Sequence, residues 1–211
     1  MGHQWWWEVT YQDPEPSRSF ITANEIHLPV GVPAKVVLET NDVIHSFWIP
    51  SLAGKMDQIS GHTNEQELIA SRPGIYRGQC AEFCGQSHAK MALLVIASPS
   101  DEFEAWRNAQ ISAAATPDDP IRQQGLGVFN ARGCMLCHTV RGTNAGGNLG
   151  PDLTHLASRK TIAAGTAALE PGTLAGWIAD PQHMKPGAQM PNMDLTGAEL
   201  NAVVSYLMGL K

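Results

Sequence analysis

The stretch QCAEFCGQSHAKM, Gln79 to Met91, gathers two cysteines, a histidine and a methionine into thirteen residues. Four chemistries use such a set: a disulfide, a zinc site, a redox-active dithiol or copper. A disulfide between Cys80 and Cys84 leaves His88 and Met91 without a role. Zinc accepts two cysteines and two histidines but has little use for a thioether. Thioether, thiolate and imidazole together are soft ligands that select copper. His45, in NDVIHSFWIP, offers a second imidazole from a strand-like position. A mononuclear blue-copper site needs only one cysteine, whereas two thiolates suit a pair of coppers bridged by both sulfurs.

A second constellation, CMLCH (134–138), carries the C-x-x-C-H signature of covalent c-type haem attachment. Thiols at i and i+3 share one side of a helical turn and can add to two haem vinyl groups, and the adjacent histidine then faces the iron. A thioredoxin-like dithiol needs a βαβ context and a zinc site needs a second ligand pair; this half of the chain offers neither. KPGAQMP supplies Met190 as a sixth ligand from a Gly/Pro loop. Met193 lies three residues on, but Pro191 holds Met190 extended, so Met190 is the expected ligand and Met193 packs near the haem edge.

The elements that must position these groups fall into two textures. A chain of 211 residues is comfortable for two domains. Its hydrophobic share of 43% and charged share of 16% are those of a globular protein. A net charge of −6 argues against nucleic acid as a partner. The four cysteines form two close pairs, too few for a disulfide scaffold. No apolar run approaches the ~18 residues of a membrane span, and no signal peptide opens the chain. The abrupt start at MGHQWWWEVTY reads as a fragment boundary, with an anchor or export signal expected upstream.

Up to about Ser98, KVVLETND, VIHSFWIP, QELIAS and GIYRGQC read as short strands between turn residues, which suggests a sandwich or small barrel. SPSDEFEAWRNAQ then opens a helix, with Ser98 as N-cap and Pro99 at its first position. ISAAATPDDP (111–120) is Ala-rich and broken by prolines, as linkers are. Beyond it, IRQQGLGVFNARG and TGAELNAVVSYLMGLK suit amphipathic helices, the second capped by Thr196 with Glu199 three residues later. The expected division is therefore residues 1–108, a linker over 109–120, and residues 121–211. Charge divides likewise: 7 Lys+Arg against 13 Asp+Glu over 1–108, and 7 against 5 over 121–211.

Residues 121–211 resemble a class I cytochrome c, through GLGVF before the CMLCH, LGPDL after it, MP in the distal loop and VVSYL in the terminal helix. The resemblance implies that Cys134 and Cys137 bind haem c and that His138 and Met190 are its axial ligands. It implies that the Pro151 carbonyl accepts from the proximal imidazole and that Trp177 or Arg159 reaches a propionate. His155 and His183 read as surface or loop histidines.

The C-x-E-x-C-x-x-x-H-x-x-M pattern, after an upstream H-S, resembles the dinuclear CuA site of cytochrome c oxidase subunit II. The likeness implies side-chain copper ligands at His45, Cys80, Cys84, His88 and Met91, with the Glu82 backbone carbonyl as a further ligand. The Glu82 side chain would face a magnesium site shared with subunit I. GHQWWWEVTY is similar to the family's aromatic segment after its second membrane helix, and places Trp5 where electrons enter. PSLAGKMDQISG is similar to the loop after the first copper histidine, with His62 where the family often has arginine. His3 and His27 have no matching metal role.

Together the two likenesses imply the caa type of haem-copper oxidase. The fold would be multidomain, a cupredoxin-like all-β barrel followed by an all-α class I cytochrome c domain. The implied function is electron relay from a soluble donor cytochrome through haem c to CuA and on to oxidase subunit I, with no oxygen-reduction site on this chain. Both centres would face the extracytoplasmic side of a membrane that the parent protein reaches through its N-terminal anchor. The rival reading is the electron-input subunit of a copper-dependent nitric oxide reductase. A copper-binding or redox-sensing module would be of another class, and would leave the haem without a purpose.

Overall fold

The computed structural model describes all of residues 1–211. The chain divides into two compact units, Met1–Ile111 with Ala163–Thr166, and Ser112–Ile162 with Ala167–Lys211.

The first unit is built of ten strands: β1 (Gly2–His3), β2 (Trp6–Tyr11), β3 (Phe20–Ala23), β4 (Glu25–Pro29), β5 (Ala34–Leu38), β6 (His45–Phe47), β7 (Met56–Gln58), β8 (Asn64–Leu68), β9 (Gly74–Gln79) and β10 (Ala92–Ser98). They pair in the orders β1-β2-β3, β4-β10-β9, β5-β8 and β6-β7. β10 runs parallel to β4 and antiparallel to β9, so it is the central strand of its sheet. That position explains the near-continuous apolar run ALLVIA, which a strand covered on both faces requires. β5, at a sheet edge, instead alternates exposed and covered positions. The sequence expectation of an all-β, cupredoxin-like unit is met, though the ladders stay as separate small sheets and do not close into one hydrogen-bonded barrel.

One core joins these sheets. Trp7, Leu38, Phe47, Ile49, Leu68, Leu93 and Val95 are buried in it together with Cys80, Cys84 and Met91. Each large apolar side chain there contributes about 1.5–3 kcal/mol by leaving water. Helix α1 (Ser100–Ile111) closes the unit. Its Trp106 stacks on His27 at 3.9 Å and meets Tyr11 edge-on at 5.2 Å, and Arg107 pairs with Asp13. The helix begins one residue later than the sequence suggests. Ser98 ends β10, and the Pro99 carbonyl accepts the first helical bond, from Phe103 N–H at 2.9 Å.

The second unit carries α2 (Pro120–Ala131), α3 (Pro171–Ala179), α4 (Pro181–Met184) and α5 (Gly197–Leu207). The loops are not wholly irregular: β11 (Thr139–Val140) pairs with β12 (Ala145–Gly146), and β13 (Thr161–Ile162) with β14 (Ala167–Ala168). α2 starts on Asp119, whose side chain accepts from Arg122 N–H at 2.9 Å, with Pro120 at the first turn. α5 starts on the expected capping box: Thr196 N–H donates to Glu199 at 2.9 Å and Glu199 N–H to the Thr196 hydroxyl at 3.3 Å. α2 and α5 cross with Phe129 edge-on to Tyr206 at 5.8 Å. The crossing is close because Gly125 has no side chain; a Cβ there would sit 2.0 Å from the Ala202 carbonyl oxygen.

The Ala-rich segment read as linker is ordered from Ser112 onward within this unit. Ala114 N–H donates to the Arg141 carbonyl at 2.9 Å, His155 Nε2 to the Ser112 carbonyl at 2.9 Å, and Gln123 Nε2 to the Pro117 carbonyl at 3.2 Å. These are backbone attachments, which composition does not reveal. Of the two readings for His155, surface or loop, the second holds: it lies in a turn and is buried.

Gly125→Ala should destabilise the helical unit by about 1–3 kcal/mol, the usual cost of overpacking, read by chemical denaturation followed through helical circular dichroism. A second expectation concerns pH. Bonds from Thr196 N–H and from Arg132 lower the Glu199 carboxyl from 4.5 to about 2. Its stabilising effect is therefore complete above about 4.5 and lost as pH falls through about 2. Glu199→Gln should lower the Tm at neutral pH, and the deficit should close as the wild-type carboxylate protonates.

Candidate metal centres

β9 and β10 are antiparallel neighbours with Gln79 opposite Ala92, so the segment between them must return on itself. Cys80 and Met91 are the first residues beyond that pair, and Cys80 N–H donates to the Met91 carbonyl at 2.9 Å. A 3-10 turn over His88–Lys90 brings His88 inward, with His88 N–H on the Gly85 carbonyl at 3.0 Å. β6 approaches from the other side: Ala81 N–H donates to the Ser46 carbonyl at 2.9 Å, which sets His45 beside the loop.

The five expected side chains converge. The Cys80 and Cys84 sulfurs lie 3.8 Å apart, and both cysteines are free. His45 Nδ1 is 3.8 Å from the Cys80 sulfur, His88 Nδ1 3.4 Å from the Cys84 sulfur, and the Met91 sulfur 3.9 Å from that of Cys84. The Glu82 carbonyl oxygen is 3.2 Å from the Cys80 sulfur, while the Glu82 side chain is on the exposed surface. His45, Cys80, Cys84 and Met91 are buried, and His88 is half-buried. The Cys80–Cys84 hydrogen bond holds the Cys80 thiol far below the ordinary thiol range and pushes Cys84 up. Two buried cysteine sulfurs amid two imidazoles and a thioether are a donor set that fits copper.

Two residues that the sequence reading passed over complete the surroundings. His45 Nε2–H donates to Asp42 Oδ1 at 2.8 Å, so Nδ1 is the nitrogen left to face the thiols. Burial would raise the Asp42 carboxyl, but bonds from His45 and from Gln4 N–H more than offset it and lower it overall. Gln4 Nε2 and the Trp5 indole N–H both donate to the Cys84 carbonyl, at 2.7 and 2.9 Å. Trp5 is thus buried beside the cysteine loop, only 9% exposed. His3 stacks on Trp6 at 4.4 Å and His62 is exposed; neither approaches the thiol cluster in any contact that defines it.

In the second unit, CMLCH sits on a 3-10 turn over Cys134–Leu136, opened by Gly133 in the left-handed conformation. His138 N–H donates to the Cys134 carbonyl at 3.0 Å, which fixes the histidine relative to the first cysteine. His138 Nδ1–H donates to the Pro151 carbonyl at 2.7 Å, leaving Nε2 as the open nitrogen. Burial, aided by the Arg159 guanidinium, holds this imidazole below its ordinary range, hence neutral, against the opposing pull of the Pro151 bond. Two thiols, a neutral imidazole with a fixed ring and a methionine-bearing loop form a donor set that fits haem c.

Met190 lies in the loop between α4 and α5, packed against the second core, with its carbonyl accepting from Gln182 Nε2 at 3.3 Å. Met193 packs on the same core. Arg159 Nη2 donates to the Asp152 carbonyl at 2.5 Å, and Trp177 is half-buried on α3.

Comparison with known proteins matches both units. Residues 1–98 match the family described as cytochrome c oxidase subunit II, periplasmic domain, and residues 123–211 the cytochrome c family. Over its whole length the chain is 38% identical to cytochrome c oxidase subunit 2 of Alkalihalophilus pseudofirmus, and over 98% of it 30% identical to that of Bacillus subtilis. It spans about 60% of the length of these curated relatives. The crystal structure of the periplasmic domain of subunit II of cytochrome oxidase of Bradyrhizobium japonicum is 31% identical, with a TM-score of 0.47 over 52% of this chain and 88% of that one. The chain thus belongs, over residues 1–98, to the family of cytochrome c oxidase subunit II periplasmic domains and, over residues 123–211, to the cytochrome c family.

Proposed function

We propose that this chain is the electron-relaying part of subunit II of a haem-copper oxidase: it receives electrons from a donor cytochrome at its haem-binding unit and delivers them from its copper-binding unit to oxidase subunit I. One observation carries the reading. A single chain joins two buried cysteine sulfurs 3.8 Å apart without a disulfide, ringed by two histidines and a methionine, to a C-x-x-C-H turn whose histidine is fixed through its Nδ1–H. The names of the curated relatives support an oxidase over a nitric oxide reductase.

His45, Cys80, Cys84, His88, Met91 and the Glu82 carbonyl would hold a pair of coppers. Cys134 and Cys137 would bind the haem covalently, with His138 and Met190 on its iron. When bound, these groups supply reversible one-electron exchange. The protein's part is to hold each donor in one arrangement, so that gaining or losing an electron moves few atoms. The loop between β9 and β10 does so through its closing backbone bonds, and Pro151 does so for the His138 ring. Arg159 and Trp177 would sit toward the haem propionates, and Trp5, in contact with the Cys84 carbonyl, would lie on the path by which electrons enter from outside. The exposed Glu82 carboxylate would take part in a magnesium site shared with subunit I. No helix is long and apolar enough to cross a membrane; attachment to an extracytoplasmic membrane face would come through an N-terminal anchor of the parent protein.

Metal analysis of the loaded chain should give two coppers and one iron, with a mixed-valence copper EPR spectrum. Cys80→Ser or Cys84→Ser should abolish that spectrum and leave the haem bands intact; a single copper with a mononuclear spectrum in the wild type would refute the reading. At the haem, Met190→Ala should remove the methionine-to-iron charge-transfer band and lower the potential, since a thioether ligand raises it. Met193→Ala should keep both.

A further inference from the structure

Gln4 touches both sides of the copper-binding cluster, although it lies far from it in sequence. Its backbone N–H donates to Asp42 Oδ2 at 2.7 Å, and the other oxygen of that carboxylate, Oδ1, takes the His45 Nε2–H at 2.8 Å. The Thr40 hydroxyl lies 3.0 Å from the same Oδ1, its one proton shared with the Gly2 and Val43 carbonyls at 3.1 and 3.0 Å. The Gln4 side-chain amide, on the opposite side, donates to the Cys84 carbonyl at 2.7 Å. Space there is already filled: a Cβ on the next residue, Gly85, would sit 2.9 Å from Gln4 Nε2 and 2.9 Å from the Trp5 ring.

His45 and Cys84 come from separate segments, β6 and the loop after β9, whose relative position decides the spacing of imidazole and sulfur. Backbone bonds fix Cys80 against Met91 and Ala81 against Ser46, but none of them holds the Asp42 carboxylate or the Cys84 carbonyl. We propose that Gln4 is a positioning residue for the copper centre, a strut that sets the His45 side against the Cys84 side through one residue's backbone and side chain. The inference rests on the copper reading above and adds to it a residue that binds no metal.

The two arms of the strut can be cut separately without changing size. Gln4→Glu replaces the amide donor by a carboxylate that repels the Cys84 carbonyl, while the backbone bond to Asp42 stays. Asp42→Asn leaves one acceptor oxygen where two were used, so His45 Nε2–H and Gln4 N–H cannot both be served. Either change should weaken copper retention against a competing chelator by about 10–100-fold, the usual effect of disturbing groups that orient metal ligands. Each should also alter the copper EPR spectrum and shift the copper potential. Because both act on one unit, the double variant should lose less than the product of the two single losses. Gln4→Ala, which cuts the side-chain arm without adding repulsion, should fall between wild type and Gln4→Glu.

The Tm of the copper-free chain separates positioning from mere folding. Unchanged copper retention, spectrum and potential in Gln4→Glu would overturn the proposal, as would a fall in the copper-free Tm with the spectrum and potential of the loaded protein unmoved. If wild type itself takes up no copper pair, the copper reading fails first; if it does and the variants match it, only the strut fails.

Discussion

Two sulfur atoms buried 3.8 Å apart with no disulfide between them are the arrangement on which the first unit turns. Burying a thiolate costs several kcal/mol unless positive charge or good donors meet it. Here the His45 and His88 imidazoles flank the sulfurs, and they arrive from segments fixed by sheet register. The antiparallel pairing of β9 with β10 folds the cysteine loop back on itself, and β6 sets a histidine against it. Shifting either strand by one residue would turn every one of its side chains to the other face and scatter the cluster. The β-ladders and the chemistry are therefore one specification, and the apolar core around Leu93 and Val95 holds both.

The helical unit solves its problem differently. Its chemistry sits on a turn and in loops, and the helices serve as a frame. α2 and α5 are locked at Gly125, and caps at Asp119 and Thr196 fix where each helix begins. Against that frame, one short hydrogen bond from His138 to Pro151 orients the ring. Long loops are tolerable because covalent attachment through Cys134 and Cys137 would tie the chain to its prosthetic group. The first unit has no such tether and depends on register instead.

Much of this was legible in the sequence, for a physical reason. Cys80, Cys84, His88 and Met91 lie within one hairpin connection, so spacing alone places them together, and CMLCH is more local still. The capping box at Thr196 and Glu199 is likewise a short-range signal. What escaped depends on long-range approach. Asp42 stands in NDVIH, where it reads as a turn residue, and only the fold turns its carboxylate onto His45. Gln4 meets Cys84 across eighty positions of sequence. Ser112 to Pro117 carry no periodic apolar pattern, yet backbone bonds to Arg141, His155 and Gln123 attach them. Helix α3 was missed because two glycines and an initial proline dilute its nine residues.

The placement of the thioethers has a chemical consequence for ageing. Met91 is fully buried, and oxidising its sulfur to the sulfoxide would force a polar oxygen into an apolar core. Peroxide in bulk water can reach it only when the core opens. Met190 is half-covered between exposed Gln189 and Pro191. In a chain still lacking its haem, that sulfur stands closer to solvent. Between these two sulfurs, oxidative wear should thus reach Met190 before Met91, so that a damaged chain would lose the thioether proposed for the haem iron while the copper-side methionine is still intact.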